Sequence, residues 1–275
     1  MQFNEWVFAL HNGLATGMAT FLVAAGLTWI FGILKILNMA HGHFYMVGAY
    51  VAFSIMGRHP DSLGQWLGAA AVAGVAVGVL GGITDRVLLA RLRSVDYHYV
   101  LIAIFALLLC VEGAVRLIWG GEVQSIEPPP VLAGPVQLGT LFIPKFTLVV
   151  IVAGAIMFVA LELVLPRTWA GKLMQAVARD PWMAGLMGVN VPALLSASAV
   201  LSFAVAGFAG GLLIPMQSLD LTLGGARCCG PFSRSSSAAW AACAVPSWRR
   251  SCWGWCRTWA VCSCPTSRAF RSISR

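Results

Sequence analysis

The chain has 275 residues, 59% apolar and only 10% charged, with a formal net charge of +8. Soluble globules carry about 25% charged residues to coat themselves against water, so this composition excludes one. The mean hydropathy of +0.81 points instead to a polytopic membrane protein, all-α, with its surface facing lipid. The charge is unevenly placed. Residues 1–220 hold ten Lys or Arg against ten acids, whereas residues 221–275 hold eight Arg, no Lys and no acid. Seven of the eight Cys also lie in that last segment. The composition changes abruptly after Leu223, which divides a membrane domain over 1–223 from a tail over 224–275.

The opening MQFNEWVFALHNG lacks a basic n-region and carries Glu5, so no cleavable leader is expected. The first apolar run then reads as a retained span in a cytoplasmic membrane. A helix needs about 20 apolar residues to cross the hydrocarbon. That length predicts about six spans, near Leu14–Leu34, Asn38–Met56, Gln65–Ile83, Tyr99–Trp119, Leu141–Leu165 and Pro192–Pro215. Small residues crowd several of them, as in GAAAVAGVAVGVLGG (68–82), where helix backbones can approach closely. Cytoplasmic loops carry the Lys and Arg excess. The loops 84–98 (Arg86, Arg91, Arg93) and 166–191 (Arg167, Lys172, Arg179) therefore fall inside with Lys35, while the segment 120–139, with two Glu and no cation, falls outside. The N-terminus also falls outside, and Arg58 on the outer side is a minor conflict.

Between the first two spans, GLTWIFGILKILNMAHGHFYMVGAY (26–50) places Lys35, Asn38, His41 and His43 between apolar runs. Polar groups at membrane depth are costly unless they meet partners or line a cavity. Gly42 interrupts the helical pattern, which suggests a discontinuous segment of the sort tolerated only inside protein or beside water. Two readings stay open: a segment lining a translocation path through Asn38, His41, Gly42 and His43, or an interfacial turn joining two spans. A metal site is not expected, since two His two residues apart leave a coordination shell unfilled.

In the inner loop, AGKLMQAVARDPWMAGLMGVNV (170–191) is mildly amphipathic, with Leu173, Val177, Met183 and Leu186 among Lys172, Gln175, Arg179 and Asp180. Asp180-Pro181 reads as a helix start, Asp as N-cap and Pro at N1, and Gly188 closes that helix. Such a short helix either docks in a partner's groove or serves as a solvated linker. No nucleophile elbow, zinc-protease motif or phosphate loop is present, so neither an enzyme nor a resident cofactor is expected. Glu112 and Glu162 could form a proton relay of a secondary transporter, although single membrane carboxylates are more often paired or snorkelled.

Both stretches resemble LivH-type permeases, the membrane subunits of branched-chain amino acid ABC transporters, and the likeness runs from about Leu14 to Leu221. It implies an importer component of the bacterial inner membrane without ATPase activity of its own. The implied partners are a second permease, two cytoplasmic ATPase subunits and an extracytoplasmic solute-binding protein, with the lipid bilayer around it and no nucleic acid. It also implies that Leu173, Ala178, Arg179, Asp180 and Gly188 couple the permease to its ATPase. Urea and short-chain amide permeases share the pattern. His43 stands where the family more usually has Glu.

The family should continue after Asp220 with further apolar spans, and here the resemblance stops. The tail includes SWRRSCWGWCRTWAVCSC (247–264), whose Cys lack a second pair at zinc spacing. Its Ala, Arg, Cys, Gly, Pro, Ser and Trp are what GC-rich codons give out of frame. Shifting SSSAAWAAC (235–243) back one base, with TGG fixed for Trp, yields a Val-, Gly- and Leu-rich apolar run. The expectation is a frameshifted translation from about 224–228 onward, leaving a chain that lacks its last spans and should assemble poorly and import little as written.

Overall fold

The computed structural model describes residues 3–34, 38–57, 60, 62–93, 95–126, 128–130, 132, 134–138, 141–221 and 223–224. Lys35, Arg58, Glu127 and all of the tail beyond Gly224 lie outside the described residues, as does the side chain of Glu162. The order is α1 (Phe3–Leu34), α2 (His41–Met56), α3 (Leu63–Thr84) and a π-helical turn (Asp85–Leu89). Then come α4 (Ala90–Leu92), α5 (Tyr97–Trp119), β1 (Pro135–Leu138) and β2 (Leu141–Pro144). The chain continues with α6 (Lys145–Arg167), α7 (Trp169–Arg179), α8 (Pro181–Leu186), α9 (Val191–Leu213) and a 3-10 turn (Ile214–Met216). The architecture is the expected all-α membrane bundle, and its one hairpin, β1 antiparallel to β2, fills part of a loop.

Helices stand at all six predicted places. Four are long and apolar enough to cross a membrane: Leu10–Leu34, Leu63–Leu92, His98–Trp119 and Val191–Met216. The described part of α6 adds a shorter apolar stretch, Lys145–Leu161. By contrast α2 has 16 residues, or about 24 Å at 1.5 Å per residue, short of the ~30 Å hydrocarbon thickness. It starts at His41 and not at Asn38. The inner loop predicted at 84–98 is largely helix, because α3 runs on through the π turn to Leu92.

Caps explain several boundaries. The side chains of Ser62, Thr168, Asp180 and Asn190 accept from the backbone N–H three residues on, at 3.2, 3.1, 3.0 and 3.2 Å. Each satisfies a donor that the helix start leaves orphaned.

Packing centres on α2 and α9. Two thirds of the most apolar window of α9 is buried (67%), against 11% for α5. The reason is close backbone approach: a Cβ on Gly48 would lie 2.5 Å from Gly207 Cα, and one on Gly210 would collide with the Tyr45 carbonyl oxygen. On the other side of α9, Gly207 rests on Ala73 and Val77 of α3. Ser202 Oγ also donates to the Gly26 carbonyl of α1 at 2.6 Å. Helix directions follow from the contacts. Gly74 meets Phe208 and Gly82 meets Val200, so α3 and α9 are antiparallel. Gly154 meets Met18 and Phe158 meets Phe21, so α1 and α6 are parallel. Both relations fit alternating crossings of a membrane. Val72, Val75, Val79 and Ile83 of α3 are exposed, an apolar stripe at helical spacing suited to lipid.

The close approach predicts a graded mutant series. Gly210→Val should lower stability by about 2 kcal/mol or more, since an overpacked backbone contact cannot relax. Gly13→Val, where nothing lies within 4 Å of the added Cβ, should change it by less than about 0.5 kcal/mol. Thermal melting in detergent checks both; equal melting temperatures would contradict the packing.

Candidate functional site

The polar stretch before α2 is a non-helical link. Asn38 Oδ1 accepts from the Ala40 N–H at 3.1 Å, and the Asn38 carbonyl accepts from the His41 N–H at 3.2 Å. Residues 38–40 are therefore non-helical and α2 begins at His41, before the Gly42 at which the sequence suggested an interruption. Gly42 itself sits inside the first turn of α2 and is buried.

Asn38, His41, Gly42 and His43 are all buried, as expected for a segment inside the bundle. They do not converge on one point. Residues two apart on a helix lie about 200° apart, and the two imidazoles accordingly face different neighbours. His41 faces α1 and α9, against Gly26 and with its ring 6.1 Å from that of Phe203. His43 faces α5, with Nε2 at 3.8 Å from Glu112 Oε2, and packs on Gly224. The carboxylate set aside as a lone relay candidate is thus paired.

From His43 a polar seam runs outward between α2 and α5. Tyr50 and Ser54 follow at helical positions i+7 and i+11, and on α5 Trp119 follows Glu112 at i+7. The Tyr50 and Trp119 rings lie 5.6 Å apart, and Trp119 Nε1 donates to Ser54 Oγ at 2.6 Å. The two helices therefore run parallel, as two crossings in the same direction must. The Tyr50 hydroxyl is buried and makes no hydrogen bond among the described residues.

Over this seam lies a segment that the sequence reading did not single out. After α9 stops at Leu213 and Pro215, the chain turns back over α2. Gln217 Nε2 donates to the Tyr45 hydroxyl, and Gly224 packs on the His43 ring. Leu219 and Gln124 exchange backbone hydrogen bonds of 3.0 and 2.8 Å, tying the segment to the chain after α5. Gln217, Ser218 and Asp220, directly after an apolar run, were the signal for it.

On the inner loop, α7 and α8 form as predicted. Asp180 caps α8, Pro181 lies in its first turn and Gly188 closes it at φ +83°. α7 buries Gly171, Met174 and Val177 against the bundle and keeps Lys172 and Arg179 exposed. Leu173 and Ala178 are half-buried, whereas Asp180 and Gly188 are exposed and shape the backbone. Large outward apolar side chains stand at the start of α7, Trp169 at 76% exposure, and along α8 and just beyond it: Trp182 at 72%, Met183, Leu186 and Met187 at 82%. Trp182 and Met187 were missed because the pattern of so short a helix spans less than two turns. A contiguous exposed apolar patch marks an interaction surface.

Among the described residues, no group of three or more His, Cys, Asp or Glu could hold a metal ion. The family described as "Branched-chain amino acid transport system / permease component" matches residues 9–221. The chain is similar to the high-affinity branched-chain amino acid transport system permease protein BraD of Pseudomonas aeruginosa, 28% identical over 74% of this chain and 69% of that protein. It is 27% identical to LivH of Escherichia coli K12, a permease protein of the same description, over 77% of this chain and 71% of LivH. It is 31% identical to a probable branched-chain amino acid transport permease protein LivH of Methanocaldococcus jannaschii, over 72% of this chain and 63% of that one. No solved structure matches. With the match spanning every helix from α1 to α9, this multi-pass membrane protein belongs to the permease-component family of branched-chain amino acid transport systems.

Proposed function

We propose that this chain is a permease subunit of an ABC importer for branched-chain amino acids, seated in a bacterial cytoplasmic membrane. It works with a second permease, two ATPase subunits and an extracytoplasmic solute-binding protein. The observation that carries this is the family match over residues 9–221, which includes both the buried α2 and the α7–α8 loop. The names of the relatives favour branched-chain amino acids over urea or short amides.

In this reading the α2–α5 seam, from His43 and Glu112 to Tyr50, Ser54 and Trp119, lines part of the solute path. Asn38 and His41 hold the start of α2 in place. Buried His43 beside the partly exposed Glu112 carboxylate, and the buried Tyr50 hydroxyl, support it, because a path for a zwitterion needs polar partners inside the bundle. His43→Ala and Glu112→Gln should each cut import in whole cells by about tenfold, the scale of one lost charge-assisted contact, with normal amounts of protein in the membrane. Unchanged uptake in both variants would remove the seam from the path.

The α7–α8 loop docks in a groove of an ATPase subunit, with the basic loops inside and 120–139 outside. Its anchors are Trp182, Met183, Leu186 and Met187, while Leu173, Ala178, Arg179, Asp180 and Gly188 position the short helix. Buried aromatic anchors dominate interface energies. Trp182→Ser with Met187→Ser should therefore weaken ATPase co-purification by about tenfold or more. Their exposure in the free chain implies little change in melting temperature. Full co-purification would count against docking here.

Residues 1–223 form the permease domain, and the tail from about 224–228 is a frameshifted translation. Arg249, Arg250 and Arg257 lie close together, and each Arg costs roughly 2.5–3.5 kcal/mol at the centre of a span. Restoring the frame should supply an apolar continuation and raise import in a permease-deficient strain. Resequencing that confirms the frame, together with full import by the chain as written, would show the tail to be native.

A further inference from the structure

The inner end of α3 carries an ion pair that neither the seam nor the docking loop uses. Asp85 is completely buried, and its Oδ1 accepts from Arg93 Nη2 at 2.7 Å. The two residues flank the π-helical turn Asp85–Leu89 and α4, inside a helical run that extends from Leu63 to Leu92. π turns within α-helices are rare and are frequent at functional sites. The same guanidinium reaches across to α9: Nη1 lies 3.4 Å from the Pro192 carbonyl, and Nη2 lies 3.4 Å from Ser196 Oγ.

Those acceptors lie in the first two turns of α9, immediately after the docking helix. The link between them is held closed. The Gly188 N–H donates to Gly185 at 3.0 Å, the Val189 N–H donates to Ala184 at 3.2 Å, and Asn190 caps α9. A push on α8 therefore passes into the start of α9 through a short, hydrogen-bonded connection. Next to it, α3 touches α9 through small and apolar side chains: Gly78 and Gly82 against Ala204 and Val200. Those contacts are van der Waals only. Arg93 supplies the directional tie.

Stability alone is a poor reason for the pair. Asp85 Oδ2 and Arg93 Nε are buried without hydrogen bonds among the described residues, and a buried pair with unsatisfied atoms adds little net stability. We propose that Asp85, through Arg93, ties the inner end of α3 to the start of α9, so that movement of the docking helix is transmitted into the bundle. Asp85 and Arg93 are thus positioning residues for coupling. The proposal rests on the reading of α7–α8 as the ATPase docking site.

The test uses the frame-restored chain assembled with its ATPase, second permease and solute-binding protein in proteoliposomes, carrying Arg93→Ala, Arg93→Lys or Asp85→Asn. Asp85→Asn keeps a hydrogen bond to Arg93 and guards against a simple failure to fold. ATPase co-purification and melting temperature are read beside solute moved per ATP hydrolysed. The expected result is normal co-purification throughout, with the transport-to-hydrolysis ratio lower by about tenfold in Arg93→Ala and by about threefold in Asp85→Asn, within the usual span of coupling between sites. Melting falls in Arg93→Ala, which leaves the Asp85 carboxylate buried and unpaired, and stays normal in Asp85→Asn. Arg93→Lys, which keeps the charge but not the reach to both acceptors, should fall between them and the parent.

A parent ratio retained by variants that fold would overturn the tie. So would a ratio that falls only in step with lost folding, since the pair would then be structural. Absence of ATPase from the parent preparation would instead overturn the docking assignment of α8, which is a separate failure.

Discussion

The fold hangs on one contact, the backbone-to-backbone approach of α2 and α9 at Gly48, Gly207 and Gly210. Lipid tails are as apolar as the side chains, so burial from water does not hold membrane helices together; van der Waals contact and hydrogen bonds do. Glycine brings two helix axes close enough for the backbones themselves to touch. Here α9 takes α2 on one side and α3 on another, while Ser202 ties it to α1 by a hydrogen bond. A helix enclosed in this way needs no lipid-facing surface, which is why α2 can be short and still carry His41 and His43.

Enclosure also decides what each polar group meets. On a helix exposed to lipid, His41 and His43 would compete for whatever partner stood on the inner side. In the centre of the bundle they face different neighbours, Gly26 and Phe203 of α1 and α9 for His41 and Glu112 of α5 for His43. The seam on the α5 side collects His43, Glu112, Tyr50, Ser54 and Trp119. Irregular backbone beside it, at Gln217–Leu221, is tolerated because its polar groups pair with Tyr45 and Gln124 and not with hydrocarbon.

At the α7–α8 end of the bundle the same logic applies. α7 is amphipathic and keeps its apolar side on the bundle, whereas α8 points its apolar side chains away from it. A patch of that kind gains from a partner and nothing from the chain's own fold. The hydrogen-bonded link through Gly188 and Asn190 makes the patch part of the same rigid path as α9. The Asp85–Arg93 pair then extends that path to α3.

Much of this was legible without coordinates. Helix number and approximate place follow from apolar length, and the cap at Asp180, the proline after it and the stop at Gly188 are local rules that the bundle did not override. The likeness to LivH-type permeases rested on the same two stretches that the structure buries in α2 and places in α7–α8. Other features depend on which helix lies beside which. The sequence placed the break at Gly42, because glycine is a local signal, but the non-helical turn lies at 38–40, where Asn38 bonds Ala40, and packing keeps Gly42 helical. Loop charges drew 84–98 as a basic linker, yet Arg93 turns inward, because a buried Asp85 eight residues earlier and Ser196 more than a hundred residues later need it. The pairing of Glu112 with His43, and the return of residues 217–221 and 223–224 over α2, are contacts between segments far apart in the chain. Periodicity and caps record a residue's nearest few neighbours, so the sequence alone determined the elements; only tertiary packing, set by where backbones could approach, decided which polar groups share a site.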